Sequence, residues 1–174
     1  MEDNLVFKKY IPEDFADYYE LVKSDQVMRY ITGKGMSKAD AKTTFDRFLR
    51  TNQLDPRLGY FKVVDIDTQT RIGECKLVHY KKDESVFEIG YLLKEPFWRK
   101  GYGTLICEHL LALASAIDPN KHIVGIIDPA NTASRRLLKK FGFASFFTGV
   151  EDGLPTEKLC LKRSGGNPTP STTF

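Results

Sequence analysis

Apolar positions along the chain fall into runs of two different periods. LVFKKY (5–10) reads as a first strand, and after Pro12 the residues Phe15, Tyr18, Tyr19 and Val22 recur at i, i+3, i+4 and i+7. That spacing predicts a helix entered at the proline. A loop with Gly33 and Gly35 leads to Ser37-Lys38-Ala39-Asp40, a capping-box pattern, and Ala41, Phe45, Phe48 and Leu49 then share one helical face. Further on, the period shortens to two. YFKVVDI and IGECKLVHY read as strands joined at DTQT, and SVFEIGYLL (85–93) as a third, with Phe87, Ile89, Tyr91 and Leu93 on one face. Pro96 closes this region. From about Gly101 the helical period returns through Ile106, Leu110, Leu113, Ala114 and Ile117, and Asp118-Pro119-Asn120 stops it. HIVGII (122–127) predicts a buried strand, DPANTAS a turn, and Ser134, Leu137, Leu138 and Phe141 a short helix ended by Gly142. Two more strands are expected near 143–149 and 156–163. The order β-α-α-β-β-β-α-β-α-β-β predicts a mixed α/β fold with helices on both faces of a mixed sheet.

Composition narrows this without redirecting it. The 174 residues suit one domain, taken as 1–163, followed by a tail, SGGNPTPSTTF (164–174), expected to be flexible. The net charge of +3 is small and the basic residues are dispersed, so no nucleic-acid stripe is present. Cys75, Cys107 and Cys160 have no CxxC spacing and lie in apolar-periodic segments, which predicts buried free thiols. His79, His109 and His122 lack metal-ligand spacing, so no metal is expected. MEDNLVFKKY has no apolar signal region and no run of 18 apolar residues occurs, so the expectation is a cytoplasmic protein without a membrane partner.

The chemically distinctive stretch is FWRKGYGTLI (97–106). A strand ends, a glycine-containing segment turns, and a helix begins. Such a junction leaves backbone N–H groups unpaired at the positive end of the helix dipole, which suits an anion. The P-loop pattern is missing, and a dinucleotide fingerprint would need glycine where Ile106 stands. Read alone, the two glycines fit either a phosphate seat or an ordinary helix entry.

A second block changes the balance. Trp98-Arg99-Lys100-Gly101-Tyr102-Gly103 resembles the acetyl-CoA loop, Q/R-x-x-G-x-G/A, of the GNAT N-acetyltransferases. DPANTASRRLLKKFGF (128–143) resembles the N-x-x-S/A…K-x-G-F segment after that family's fifth strand, and FEIGYLL resembles its fourth. The resemblance covers roughly residues 5–163. SDQVMRYI (24–31) is similar to the first-helix region of the ribosomal-protein alanine acetyltransferase branch, RimJ/RimL-like. Trp98 departs from the family's Gln or Arg, and an aromatic pair such as Phe97-Trp98 is itself a trait of that branch; packing is the alternative role for Trp98.

The resemblance implies a mostly antiparallel sheet of about seven strands, splayed between the fourth and fifth, with acetyl-CoA in the cleft and no metal. The pantetheine arm would pair with the backbone of Leu92, Leu93 and Lys94. The loop from Trp98 through Arg99, Lys100, Gly101, Tyr102 and Gly103 to Thr104 would seat the pyrophosphate, and Asn131 would bond the arm. Acetyl would pass directly to a primary amine, a protein N-terminus or a small molecule, without a covalent enzyme intermediate. The enzyme would act as a monomer or homodimer.

That reaction needs a proton removed from the amine, an oxyanion stabilised and a thiolate protonated. Glu88 is the candidate base, because it stands in an otherwise apolar row with Val86, Gly90 and Leu92. A carboxylate there is costly unless exposed or paired, so a solvent-facing row or a salt bridge is the competing explanation. Many family members place a tyrosine seven residues after the motif asparagine; here that position is Leu138. Ser134 is the replacement candidate for the acid, with helix capping as its alternative. A non-catalytic acyl-CoA sensor on the same fold is the rival to an enzyme.

Overall fold

The period-two runs and the helical runs form the elements expected of them, in the expected order. The computed structural model describes residues 4–164. In chain order these are β1 (Leu5–Lys9), α1 (Phe15–Val22), α2 (Asp25–Met28), α3 (Lys38–Leu54), β2 (Gly59–Asp65), β3 (Thr70–Tyr80) and β4 (Asp83–Leu93). Then follow α4 (Tyr102–Ile117), β5 (Ile123–Ile127), α5 (Thr132–Lys140), β6 (Ala144–Glu151) and β7 (Leu154–Leu161). The tail expected to be flexible lies, from residue 165, outside the described residues.

Local chemistry explains the boundaries. Pro12 opens a 3₁₀ turn, Pro12–Asp14, rather than α1 itself. Ser37 caps α3 by accepting from the Asp40 N–H, as the capping pattern predicts. At DTQT, Asp65 Oδ1 accepts from the N–H groups of Asp67 and Thr68, both at 3.0 Å, and this fold-back joins β2 to β3. Asp152 and Gly153 both adopt positive φ (50° and 77°), the conformation of a two-residue hairpin, and Glu151 pairs with Leu154 across it. α5 ends in a glycine cap: Gly142 sits at φ 90°, and Phe143 N–H donates to Leu138 O at 3.1 Å. The four-residue α2, capped by Ser24, carries too short a pattern to be read from periodicity.

The strands pair in the order β1-β2-β3-β4-β5-β7-β6. β1–β2, β5–β7 and β6–β7 are antiparallel, and β4–β5 is parallel. A parallel pair needs a long crossover, which α4 supplies. The β4–β5 ladder is short, from Phe87↔Ile123 to Ile89↔Gly125, whereas β4 itself runs on to Leu93. The mixed, mostly antiparallel seven-stranded architecture is thus the one anticipated.

Two compact units partition the chain. One takes the chain up to Lys76 with Tyr91–Ile106; the other takes Leu77–Gly90 with the chain from Cys107 onward. The first is built on an aromatic core in which Tyr10, Tyr18, Phe45 and Phe48 pack with Leu21, Val22 and Met28. Ring centroids of Tyr10 and Phe45 lie 5.2 Å apart, edge to face, and Phe48 stacks on Tyr60 at 3.6 Å. In the second, Tyr80, Val86, Val124 and Cys160 form a buried cluster. α5 docks on β5 where Gly125 leaves room for Leu138: a Cβ on Gly125 would come within 2.7 Å of Leu138 Cδ1. The three cysteines are buried free thiols, as expected.

Candidate functional site

The end of β4 has one edge committed and one edge open. Lys94 N–H donates to Ile72 O of β3 at 2.9 Å. A Cβ on Gly73 would fall on the Leu92 carbonyl oxygen, so β3 lies tight against this end. Along a strand successive residues point their polar groups to opposite edges, so those of Leu93 point away from β3. The Leu93 carbonyl accepts from Trp98 Nε1 at 2.8 Å.

After Leu93 the chain makes a 3₁₀ turn, Glu95–Phe97, closed by Phe97 N–H on Lys94 O and Trp98 N–H on Glu95 O. Arg99 (φ 59°) and Gly101 (φ 84°) are both left-handed. Thr104 N–H then donates to Gly101 O at 3.0 Å and starts the ladder of α4. Among the described residues the amides from Arg99 to Gly103 have no acceptor within the protein. They stand at the start of a 16-residue helix whose first turn carries no acidic side chain. Open amides, a helix dipole and alternating left-handed residues are together suited to an anion. Their charge is backbone charge: Lys100 lies over the Phe97 ring, 6.0 Å from the centroid, and Phe97 in turn meets Tyr102 edge to face.

Lys94 is half-buried beside this end of β4. Desolvation, reinforced by the like charge of Arg71, holds its ammonium below the usual lysine range. Arg71, buried on β3, donates to the Tyr10 hydroxyl, which donates to Glu74 Oε2 at 2.7 Å. Burial pushes both Tyr10 and Glu74 toward their neutral forms. The sequence reading passed over this network, although a charged residue directly before the apolar Ile72 in a strand was its available signal.

Glu88 lies in mid-β4 opposite Val124 of β5 and is only 8% exposed. The row it shares with Val86 therefore does not face solvent. The Tyr80 phenol is raised above its ordinary range chiefly by burial, with Glu88 among the smaller contributors.

Asn131 is the N-cap of α5, its Oδ1 accepting from the Ser134 N–H at 3.1 Å. Capping therefore belongs to Asn131 and not to Ser134. The cap leaves the Asn131 Nδ2 donors for another partner. Ser134 is half-buried in the first turn, and Leu138, where many relatives have tyrosine, is buried against Gly125. The structure thus brings together Leu93 with the Trp98–Thr104 loop, and Asn131 with Ser134.

Other reactive groups are held inert. Burial raises all three thiols, Cys107 to about 12, so none is a ready thiolate. No group of three His, Cys, Asp or Glu among the described residues is placed to hold a metal ion. No helix among them is long and apolar enough to cross a membrane.

Comparison with known proteins bears on the family and the fold. Residues 4–144 match the family described as Acetyltransferase (GNAT) domain. The chain is 29% identical over 140 residues to the uncharacterized N-acetyltransferase YnaD of Bacillus subtilis (strain 168), covering 79% of this chain and 78% of that one. Among solved structures, RimL, the ribosomal L7/L12 alpha-N-protein acetyltransferase in complex with coenzyme A, superposes with a TM-score of 0.76. Its identity is 12%, over 94% of this chain and 96% of that one. Spermidine N-acetyltransferase from Vibrio cholerae, in complex with CoA and spermine, gives a TM-score of 0.73 at 16% identity, over 93% and 97%. At these identities the superpositions speak to the fold.

Proposed function

The chain belongs to the GNAT acetyltransferase family, and on that premise we propose that it transfers acetyl directly from acetyl-CoA to a primary amine, without a covalent enzyme intermediate. The observation that carries this reading is the run of open amides from Arg99 to Gly103, at the start of α4 and next to the open edge of β4. Acetyl-CoA supplies a thioester carbonyl, an anionic pyrophosphate and an arm of amide groups. The seat fits the pyrophosphate, since its donors are unpaired N–H groups and no carboxylate stands in the first turn of the helix.

Each residue then has a task of its own. Within the loop from Trp98 to Thr104 the open amides of Arg99 to Gly103 bind phosphate oxygens, since those of Trp98 and Thr104 are spent on Glu95 O and Gly101 O. Of Leu92, Leu93 and Lys94, it is Leu93, facing away from β3, that orients the arm. Asn131 offers its Nδ2 donors to the same arm, and around Leu92 it is the Leu93 N–H, on the edge away from β3, that steadies the charge developing on the carbonyl oxygen. Glu88 takes the amine proton through a water relay, and Ser134 Oγ hands one to the departing thiolate. A free α-amine, with a pKa near 8, loses its proton far more readily than a lysine, near 10.4. A thiol pKa of about 8.5 makes the thiolate a tolerable leaving group even without a strong acid.

The acceptor is a protein N-terminus or a small-molecule amine, the two kinds named for RimL and for the spermidine enzyme. Phe97-Trp98 and the segment after Ser24 favour the ribosomal-protein alanine branch. Thiol release from acetyl-CoA, measured against peptides with free N-termini, polyamines and small amines, tests the proposal. Amine-dependent release is expected. A protein that binds CoA but releases none with any amine is the acyl-CoA sensor instead.

A further inference from the structure

Trp98 is the single tryptophan of the chain and is 38% exposed, so it is not a core residue. It is also not free to serve only as a wall for a ligand, because it is tied at both ends. Its backbone N–H donates to Glu95 O at 3.1 Å and its indole Nε1–H to Leu93 O at 2.8 Å. One side chain thus links the last residue of β4 to the residue from which the amide seat departs. The next residue, Arg99, has φ 59°, a left-handed conformation disfavoured for any residue with a Cβ. Such conformations persist where the surroundings over-determine them. The indole bond supplies that restraint, immediately before the strained residue.

We propose that the Trp98 indole is a strut that fixes the Arg99–Gly103 amide seat relative to the end of β4. Trp98 is then a positioning residue, and a ligand reaching both segments is received as one piece. The inference rests on the acetyl-CoA reading above and adds to it the means by which the two halves of the donor site are aligned. A carbonyl oxygen has two lone pairs, so Leu93 can hold the indole and still accept from an amide of the arm. A strut has a specific signature. It matters to a ligand that spans both segments and is neutral to one that uses a single segment, because only the spanning ligand gains from a fixed separation.

Trp98→Phe keeps an aromatic ring and removes the donor. Calorimetry on wild type and variant with CoA, which spans both segments, and with 3′,5′-ADP, which keeps the 3′-phosphate and the first 5′-phosphate but has no arm, reads the effect. The expected result is CoA binding weakened about 2- to 10-fold, the usual range for one lost hydrogen bond, with 3′,5′-ADP unchanged. KM for acetyl-CoA rises with it, while KM for the amine stays. In wild type the single indole N–H resonance should be protected from deuterium exchange, a measurement that needs no variant. Equal loss for both ligands, no loss for CoA, or a freely exchanging indole each overturns the strut. A wild type that binds neither ligand overturns the acetyl-CoA reading, and the strut's role in it, whereas a wild type that binds CoA as well as Trp98→Phe does overturns the strut alone.

Discussion

Gly101 shows how little side-chain chemistry the proposed donor seat needs. A Cβ built there meets nothing within 4 Å, so no clash explains the glycine; its φ of 84° does. Gly101→Ala therefore stores about 1–2 kcal/mol of backbone strain in the loop. Calorimetry should find CoA bound roughly 5- to 30-fold more weakly with the fold intact, and unchanged affinity would remove the loop from the site. Glu88 poses the opposite case, a side chain whose identity matters. Glu88→Gln preserves shape in a buried row and should lower kcat by about 100-fold or more while leaving CoA affinity in place. A variant with wild-type kcat and pH–rate profile would show that another group takes the proton. Both residues stood out in the sequence, one as a glycine before a helix and one as a carboxylate among apolar neighbours. Whether the Glu88 row faced inward was not legible, because a strand covered on both faces reads apolar on both.

Elements were legible where their signals are local. The Ser37 cap, the Gly142 stop and the DTQT turn depend on neighbours a few residues away, and each lies where the pattern put it. The β6–β7 hairpin was harder, since its centre is charged. Lys158 is fully buried, with Nζ 2.6 Å from Glu151 Oε1, and Lys82 reaches the same oxygen at 2.5 Å. Hydrogen bonds from Lys158, then Lys82, hold the Glu151 carboxyl below the ordinary glutamate range. A depressed folded-state pKa gives stability that is present above the unfolded value, near 4.3, and is lost as pH falls through the folded value. Glu151→Gln should therefore lower Tm at pH 7 by roughly 3–10 °C, from a lost charged hydrogen bond of about 1.5–3 kcal/mol. In thermal melts the gap from wild type should close below about pH 4. A gap independent of pH would mean that the carboxylate charge is not what stabilises the hairpin.

For the whole molecule, a ligand that binds only the folded chain stabilises it by mass action. CoA at about 100 times its Kd should add about 2.7 kcal/mol, a rise in Tm of about 5–10 °C for a chain of this size. No shift at millimolar CoA would contradict the donor assignment. At this scale the sequence by itself determined the element order, the buried thiols and, through two spaced motifs, the family, because periodicity, caps and short motifs are written in neighbouring residues. Tertiary structure alone decided that β7 lies between β5 and β6. Its TEKLC run is polar for an inner strand, and it is acceptable there because Glu157 pairs with Arg135 at 2.5 Å and Lys158 with Glu151. Tertiary structure likewise decided that Arg71 lies under Tyr10, and that the Trp98 indole reaches the Leu93 carbonyl. The sequence fragment WRKGYG suggested a candidate anion seat in outline. Its donors became countable only in the folded chain, because an amide is open when every other group has found its partner elsewhere.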